Sequence, residues 1–293
     1  MNEAPQIFDR HLLARRRSRA AERFKDARFL HEEVGARLID RLGEINRTFP
    51  LAANLGAMDG HLTPQLMGKN GIEQVVQLEL APAFAQQNPG IITADEEWLP
   101  LKPQSADLIV SNLALHWVND LPGTLAQIKL ALKPDGLLLA SVLGGETLYE
   151  LRRSFMEAEL ELCGGISPRL SPLADLRDMG ALLQRVNLAL PVVDRETITV
   201  TYTDPMKLLH DLRAMGATNV THNRPRKPLR RAVLARMCDK YRELFTVEDG
   251  RVQATFEVFY LAAWAPHDSQ QKPLPRGSAQ HSLAQALTPK KAG

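Results

Sequence analysis

Residues 106–151 constrain the fold of this chain more than any other stretch. The run Asp107-Leu108-Ile109-Val110-Ser111-Asn112 is apolar in its middle and polar at its end. That pattern suits a short strand buried on both faces of a parallel sheet. His116 and Trp117 follow, then a turn and a helical pattern over 121–132. Lys133-Pro134-Asp135-Gly136 breaks the helix, and 136–143 reads as a second buried strand closed by Gly144 and Gly145. A strand, a helix and a strand in so short a span make one βαβ unit, for which a right-handed crossover is expected. Ligands of such sheets gather beyond the carboxyl ends of the strands, so 111–117 and 143–147 are placed to face one.

The flanking chain repeats the pattern. Strands are predicted over 49–56, 74–80 and 91–94, with a turn at 57–60 and short helices from 61 and over 81–87. Two more strands follow at 192–201 and 254–264, and helical patterns cover 152–162, 175–185, 205–215 and 230–245. The expected architecture is α/β: a doubly wound, mostly parallel seven-stranded sheet with N-terminal helices and an inserted helical substrate region. The division is an N-terminal basic helical segment (1–45), a sheet domain (46–265) with a helical insertion over about 152–245, and a flexible tail (266–293).

Composition narrows the function. A net charge of +2 creates no overall field for nucleic acid or acidic lipid. No apolar run is long enough to span a bilayer, and the polar first eight residues lack a signal-peptide segment. Cys163 and Cys238 stand far apart without a CxxC, which argues for a reducing, cytoplasmic setting with no disulfide framework and no zinc. Seven arginines lie between 7 and 28, interleaved with Phe8, Leu12, Leu13, Phe24 and Phe29. They read either as an arm gripping an acidic partner or RNA, or as a solvated helix packing its apolar side on the domain. Asp9, Glu22 and Asp26 dilute the charge and favour the second reading; they also argue against a mitochondrial transit peptide.

A cofactor with a ribose needs a tight glycine turn after the first strand and a carboxylate at the end of the second. Leu55-Gly56-Ala57-Met58-Asp59-Gly60 is the turn, and Glu79 lies 79 − 60 = 19 positions past Gly60. Met58 stands where a second glycine would let the backbone approach a ligand. On this reading Glu79→Ala lowers cofactor affinity about tenfold or more and spares the fold, and Met58→Gly tightens binding. Asp95 either reaches a ring amino group or caps the following turn. Trp117 can wall a pocket, and His116 is either an acid–base group near neutral pH or a structural histidine. Tyr149, Glu150 and Arg152 follow the fifth strand as substrate-binding candidates or as an ordinary helix start. No GxSxG elbow, no GxxxxGK[ST] loop and no convincing metal-ligand set occurs; His31-Glu32-Glu33 has no obvious second histidine.

Together these residues resemble the class I S-adenosylmethionine-dependent methyltransferases. More narrowly, the chain resembles the methyltransferase-fold assembly factors of respiratory complex I, of the α-proteobacterial type. The likeness is nearly full length. It is carried by Phe8-Asp9-Arg10, His31-Glu32-Glu33-Val34-Gly35, Ala94-Asp95-Glu96-Glu97, Leu115-His116-Trp117-Val118-Asn119-Asp120-Leu121-Pro122, Leu132-Lys133-Pro134-Asp135-Gly136 and Thr147-Leu148-Tyr149-Glu150-Leu151-Arg152. Carrier-protein methyltransferases of the biotin pathway are more distant cousins. The resemblance implies S-adenosylmethionine as cofactor, held by Asn54, Gly56, Met58, Gly60, Glu79, Asp95, Asn112 and Trp117, with His116, Tyr149 and Arg152 as catalytic groups and no metal. It implies a protein substrate, an arginine of a quinone-site subunit of complex I, modified during NADH dehydrogenase assembly; the mitochondrial member is held to hydroxylate rather than methylate it. It implies no nucleic acid and at most peripheral membrane contact. Two alternatives stay open: a non-catalytic assembly chaperone with a degenerate cofactor site, and a carrier-protein or small-molecule O-methyltransferase. The family's first motif, D-L-G-C-G-x-G, departs here to Asn54-Leu55-Gly56-Ala57-Met58-Asp59-Gly60. Ser111-Asn112-Leu113-Ala114 stands where amino methyltransferases carry Asn/Asp-Pro-Pro-Tyr, which disfavours methylation of a base amine.

Overall fold

The computed structural model describes residues 6–271. Two helices come first, α1 (Arg10–Ala27), capped by the Asp9 side chain, and α2 (Phe29–Gly43). Seven strands then form one sheet: β1 (Leu51–Leu55), β2 (Gln74–Glu79), β3 (Ile91–Thr93), β4 (Ala106–Asn112), β5 (Leu132–Leu143), β6 (Ala189–Tyr202) and β7 (Val252–Trp264). Their order is β3-β2-β1-β4-β5-β7-β6, with β1 to β5 parallel and β7 antiparallel to both neighbours. The remaining helices are α3 (Thr63–Leu66), α4 (Pro82–Gln87), α5 (Leu121–Ala131), α6 (Tyr149–Cys163), α7 (Leu176–Arg185), α8 (Pro205–Ala214) and α9 (Arg231–Phe245). The doubly wound, mostly parallel sheet is the one the sequence predicts.

The continuous apolar runs are explained by burial on both faces. Leu108 and Val110 of β4, with Leu137 and Leu139 of β5, join one core with α2, α6 and α9. The alternate residues Ile109, Leu138 and Ala140 join a second core with Leu125 and Ile128 of α5. Two boundaries differ from the sequence reading. β5 starts at Leu132 rather than 136, because 132 still pairs with Ala106 before the register shifts around Pro134 and Gly136. The edge strand β6, expected over 192–201 within the 152–245 insertion, runs from Ala189 to Tyr202. Most of the expected flexible tail, 272–293, falls outside the described residues.

The arginine-rich segment turns inward. Arg17 is only 3% exposed, and Arg10 is nearly as buried. A buried guanidinium is tolerated only against opposite charge, and the sheet edge supplies it.

Candidate functional site

The strand order reverses between β1 and β4, which opens a crevice at the carboxyl end of the sheet. The turn leaving β1 is built from left-handed residues, Gly56 at φ +70° and Gly60 at φ +80°. A Cβ on Gly56 would fall 2.2 Å from the Ala114 Cβ, so glycine here lets the β4 loop close against the β1 turn. Glu79, at the end of β2, is fully buried below this turn. It accepts hydrogen bonds from the Met58 amide (3.0 Å) and the Ala81 amide (2.9 Å), with the Arg17 guanidinium 3.5 Å away. Burial pushes the Glu79 carboxyl above the usual range, against the opposing pull of Arg17.

Three further acids follow β3. Asp95 accepts from the Glu97 amide at 2.9 Å and from Arg10 at 2.5 Å, so it both caps the turn and holds a cation. Glu96 pairs with Arg10 and lies 3.5 Å from Arg17. Glu97 accepts from the Asn119 amide at 2.6 Å. Burial draws the Arg10 guanidinium down, but Glu96 and Asp95 outweigh it and hold the group above its ordinary value. Glu79, Asp95, Glu96 and Glu97 thus form an acidic cleft that holds two guanidinium groups of α1.

Beside this cleft lies a cavity of about 280 Å³ at the carboxyl ends of β4 and β5. Its walls are mostly apolar, from Leu113, Trp117, Leu143, Leu151, Phe155 and Leu212, and no described Asp or Glu lines it. Arg17, Arg169 and Arg213 border it, as do His31 and His116. The Nδ1 atoms of both histidines lack a hydrogen-bond partner. Burial holds each imidazole down to about 3, so both are neutral near pH 7. His116 can accept or donate one hydrogen bond but holds no imidazolium proton to donate. The sign fixes a pH dependence. Between 6.5 and 3 the unfolded chain takes up protons that folded His31 and His116 refuse, so stability falls with falling pH by about 1.4 kcal/mol per pH unit per histidine. His116→Gln is expected to remove one such slope in urea titrations between pH 6.5 and 4; equal slopes in the two proteins would contradict it.

Met58 lines the cavity and is also part of the core. Its side chain is 3% exposed and packs with Ala21, Phe24 and Phe84 beneath α1. It adopts φ +51°, a left-handed conformation that costs a non-glycine residue about 1–2 kcal/mol. Met58→Gly relieves that strain but empties a buried site worth roughly 2–5 kcal/mol. The variant is therefore expected to unfold at lower urea, and an unchanged midpoint would show that the side chain is not packed.

The structure gathers Gly56, Met58, Glu79, Asp95, His116 and Trp117 at the cleft and cavity. It does not bring the other candidates there. Asn112 is tied into the core, donating to the His31 carbonyl at 2.8 Å and accepting from Ser141 at 3.0 Å. Asn54 is buried with both amide atoms unpartnered and lies off the cavity wall. Gly60 packs against the Gln77 side chain. Tyr149 stacks edge-on with Phe245, and its hydroxyl accepts from Gln253. Arg152 is exposed and donates to the Gly145 and Thr147 carbonyls. Arg10, Arg17, Glu96 and His31 are site residues that the sequence reading missed. A signal was present: 10 and 17 are seven apart, two helical turns, and so share a face. Among the described residues no His, Cys, Asp and Glu cluster could hold a metal ion, and no helix is long and apolar enough to cross a membrane.

The sheet order and the crevice at its carboxyl edge define a class I methyltransferase fold. A methyltransferase domain model matches residues 53–140, and the YcgJ crystal structure from Bacillus subtilis superposes with TM-score 0.52 at 13% identity, over 79% of this chain and 99% of that one. The chain belongs to the arginine-hydroxylase NDUFAF5 family. It is 41% identical over 287 residues to the mitochondrial arginine-hydroxylase NDUFAF5 of Homo sapiens, covering 95% of this chain and 83% of that protein. It is also 34% identical to a malonyl-[acyl-carrier protein] O-methyltransferase of Halorhodospira halophila, over 91% of this chain and 92% of the relative.

Proposed function

We propose that this chain is an S-adenosylmethionine-dependent enzyme that modifies an arginine side chain of a protein partner. The partner is a quinone-site subunit of respiratory complex I, met in the cytoplasm during assembly. One observation carries the reading: a four-carboxylate cleft that already holds guanidinium groups lies against a mostly apolar cavity. The name of the human relative supports the same target chemistry. The donor set fits the cofactor in kind, because a buried acid ends β2 and a second acid follows β3. Glu79 would accept from the ribose hydroxyls and Asp95 from the adenine amine, once α1 yields them. Bound there, the cofactor supplies a methyl group on a sulfonium. The chain's own groups would do the rest: apolar walls shield the reacting atoms, Glu96 and Glu97 balance the guanidinium charge, and neutral His116 accepts a hydrogen bond from the substrate.

Mass spectrometry of the quinone-site subunit from cells with and without this chain tests the proposal. The expected result is one arginine heavier by one oxygen or one CH₂ group, lost when the chain is deleted. The two masses separate methylation by the cofactor from hydroxylation, which would need dioxygen and a two-electron reductant as co-reactants, and an unmodified arginine in both cells overturns the reading.

A second reading has its own support. Arg17, Arg169 and Arg213 border a cavity without acids, a setting for an acyl carboxylate. A malonyl-[acyl-carrier protein] O-methyltransferase is among the relatives. Transfer of labelled methyl to an acyl-thioester acid, with no change on any protein arginine, would select it.

A further inference from the structure

We propose that the first two turns of α1 are a displaceable plug: Arg10 and Arg17 stand in the acidic cleft, and a ligand that uses Glu79 and Asp95 enters by driving them out. The identity of that ligand rests on the cofactor reading above; the plug itself rests on the geometry alone. Four carboxylates converge on the ends of β2 and β3, and their mutual repulsion in a buried crevice requires cations. The two arginines provide them from one helix face.

The seating is uneven. Arg10 is held tightly, at 2.5 Å from Asp95 and by a 3.2 Å bond to the Trp117 carbonyl. Arg17 approaches Glu79 and Glu96 only to 3.5 Å, beyond the 2.7–2.9 Å usual for charge-assisted bonds. The Glu96 Oε1 has no hydrogen bond at all, although the residue is 2% exposed. A ligand hydroxyl or amine can therefore offer these acids better bonds than Arg17 does.

The plug also has an anchored end and a releasable one. Phe24 and Ala21 fix the second half of α1 on Phe84. Residues 7–9, a strap before the helix, are joined to the loop ahead of α9 by two backbone bonds of 2.9 Å, Asp9 to Val220 and His222 to Ile7. Arg16 donates to Thr218 at 2.9 Å, so strap and loop are joined as one piece. What holds that piece to the body is the 117–119 turn: Phe8 packs edge-on to Trp117, its amide donates to the Asn119 side chain at 2.7 Å and its carbonyl accepts from it at 3.1 Å, and these contacts break when the plug leaves. Because Arg17 also borders the cavity, its withdrawal joins cleft and cavity into one space.

Hydrogen-exchange mass spectrometry on the full chain tests this, with and without millimolar S-adenosylmethionine, for the native protein and for Arg10→Gln/Arg17→Gln. In the ligand-free double variant, amides over 10–17 are expected to exchange about tenfold faster than in the native chain while β4 and β5 keep their protection. In the native chain, ligand is expected to speed exchange over 10–17, and the double variant is expected to bind it about tenfold tighter. If exchange over 10–17 slows on ligand binding, α1 closes over the ligand and the plug is refuted. If the double variant leaves α1 as protected as before, the arginines do not hold it and the proposal falls. If α1 loosens in the variant but neither protein binds the cofactor, the plug stands and the cofactor reading fails.

Discussion

Glu79→Ala is expected to lower stability by about 3–5 kcal/mol, the range for removing one partner of a buried ion pair. The carboxylate is fully buried and satisfies three groups at once: the Met58 amide, the Ala81 amide and the Arg17 guanidinium. Truncation leaves two buried N–H donors unpaired and a buried cation facing only Glu96. The sequence alone predicts the opposite for the fold, since spacing identifies Glu79 as a cofactor ligand without showing what already surrounds it. Glu79→Gln keeps the shape and one acceptor oxygen, so it is expected to lose less. Urea unfolding of the three proteins checks the order, and a Glu79→Ala loss below about 1 kcal/mol would mean that the network contributes little.

Phe24→Ala is expected to cost about 3–5 kcal/mol, as for other fully buried aromatics. Phe24 has no exposed surface and sits where α1 meets α4. Its ring lies edge-on to Phe84 at 5.4 Å and to His31 at 5.0 Å, with His61 at 6.3 Å. The cavity it leaves is framed by Ala21, Met58 and Ala81, which are too small or too fixed to fill it. Loss of this anchor is also expected to increase proteolysis within α1. A midpoint unchanged in urea would contradict the placement of α1 in the folded core.

How much was legible beforehand follows from physical range. The strands were readable because β4 and β5 are buried on both faces and show it as unbroken apolar runs. Glu79 and Asp95 were readable because chain order brings strand ends to one crevice. The packing of Met58 was not legible, because sequence gives its position in the turn but not that its side chain also fills a space assembled from α4 and α1. Asn112, Tyr149 and Arg152 lie near strand ends, yet tertiary partners claim them: the His31 carbonyl, Phe245 and the 145–147 backbone. Arg10 and Arg17 escaped for a related reason. A run of seven arginines reads as a solvated face, and only the acids 60 to 90 positions away, Glu79, Asp95 and Glu96, reveal which two turn inward.

Isothermal titration of the full chain with S-adenosylmethionine, beside a folded Glu79→Gln variant, tests the central claim most directly. A cofactor that relies on Glu79 exchanges a carboxylate acceptor for an amide in that variant, which loses a charge-assisted bond. The account predicts saturable one-to-one binding by the native chain and about tenfold or more weaker binding by Glu79→Gln. Absence of saturable binding by the native chain at millimolar ligand, or equal affinity in both proteins, would contradict it.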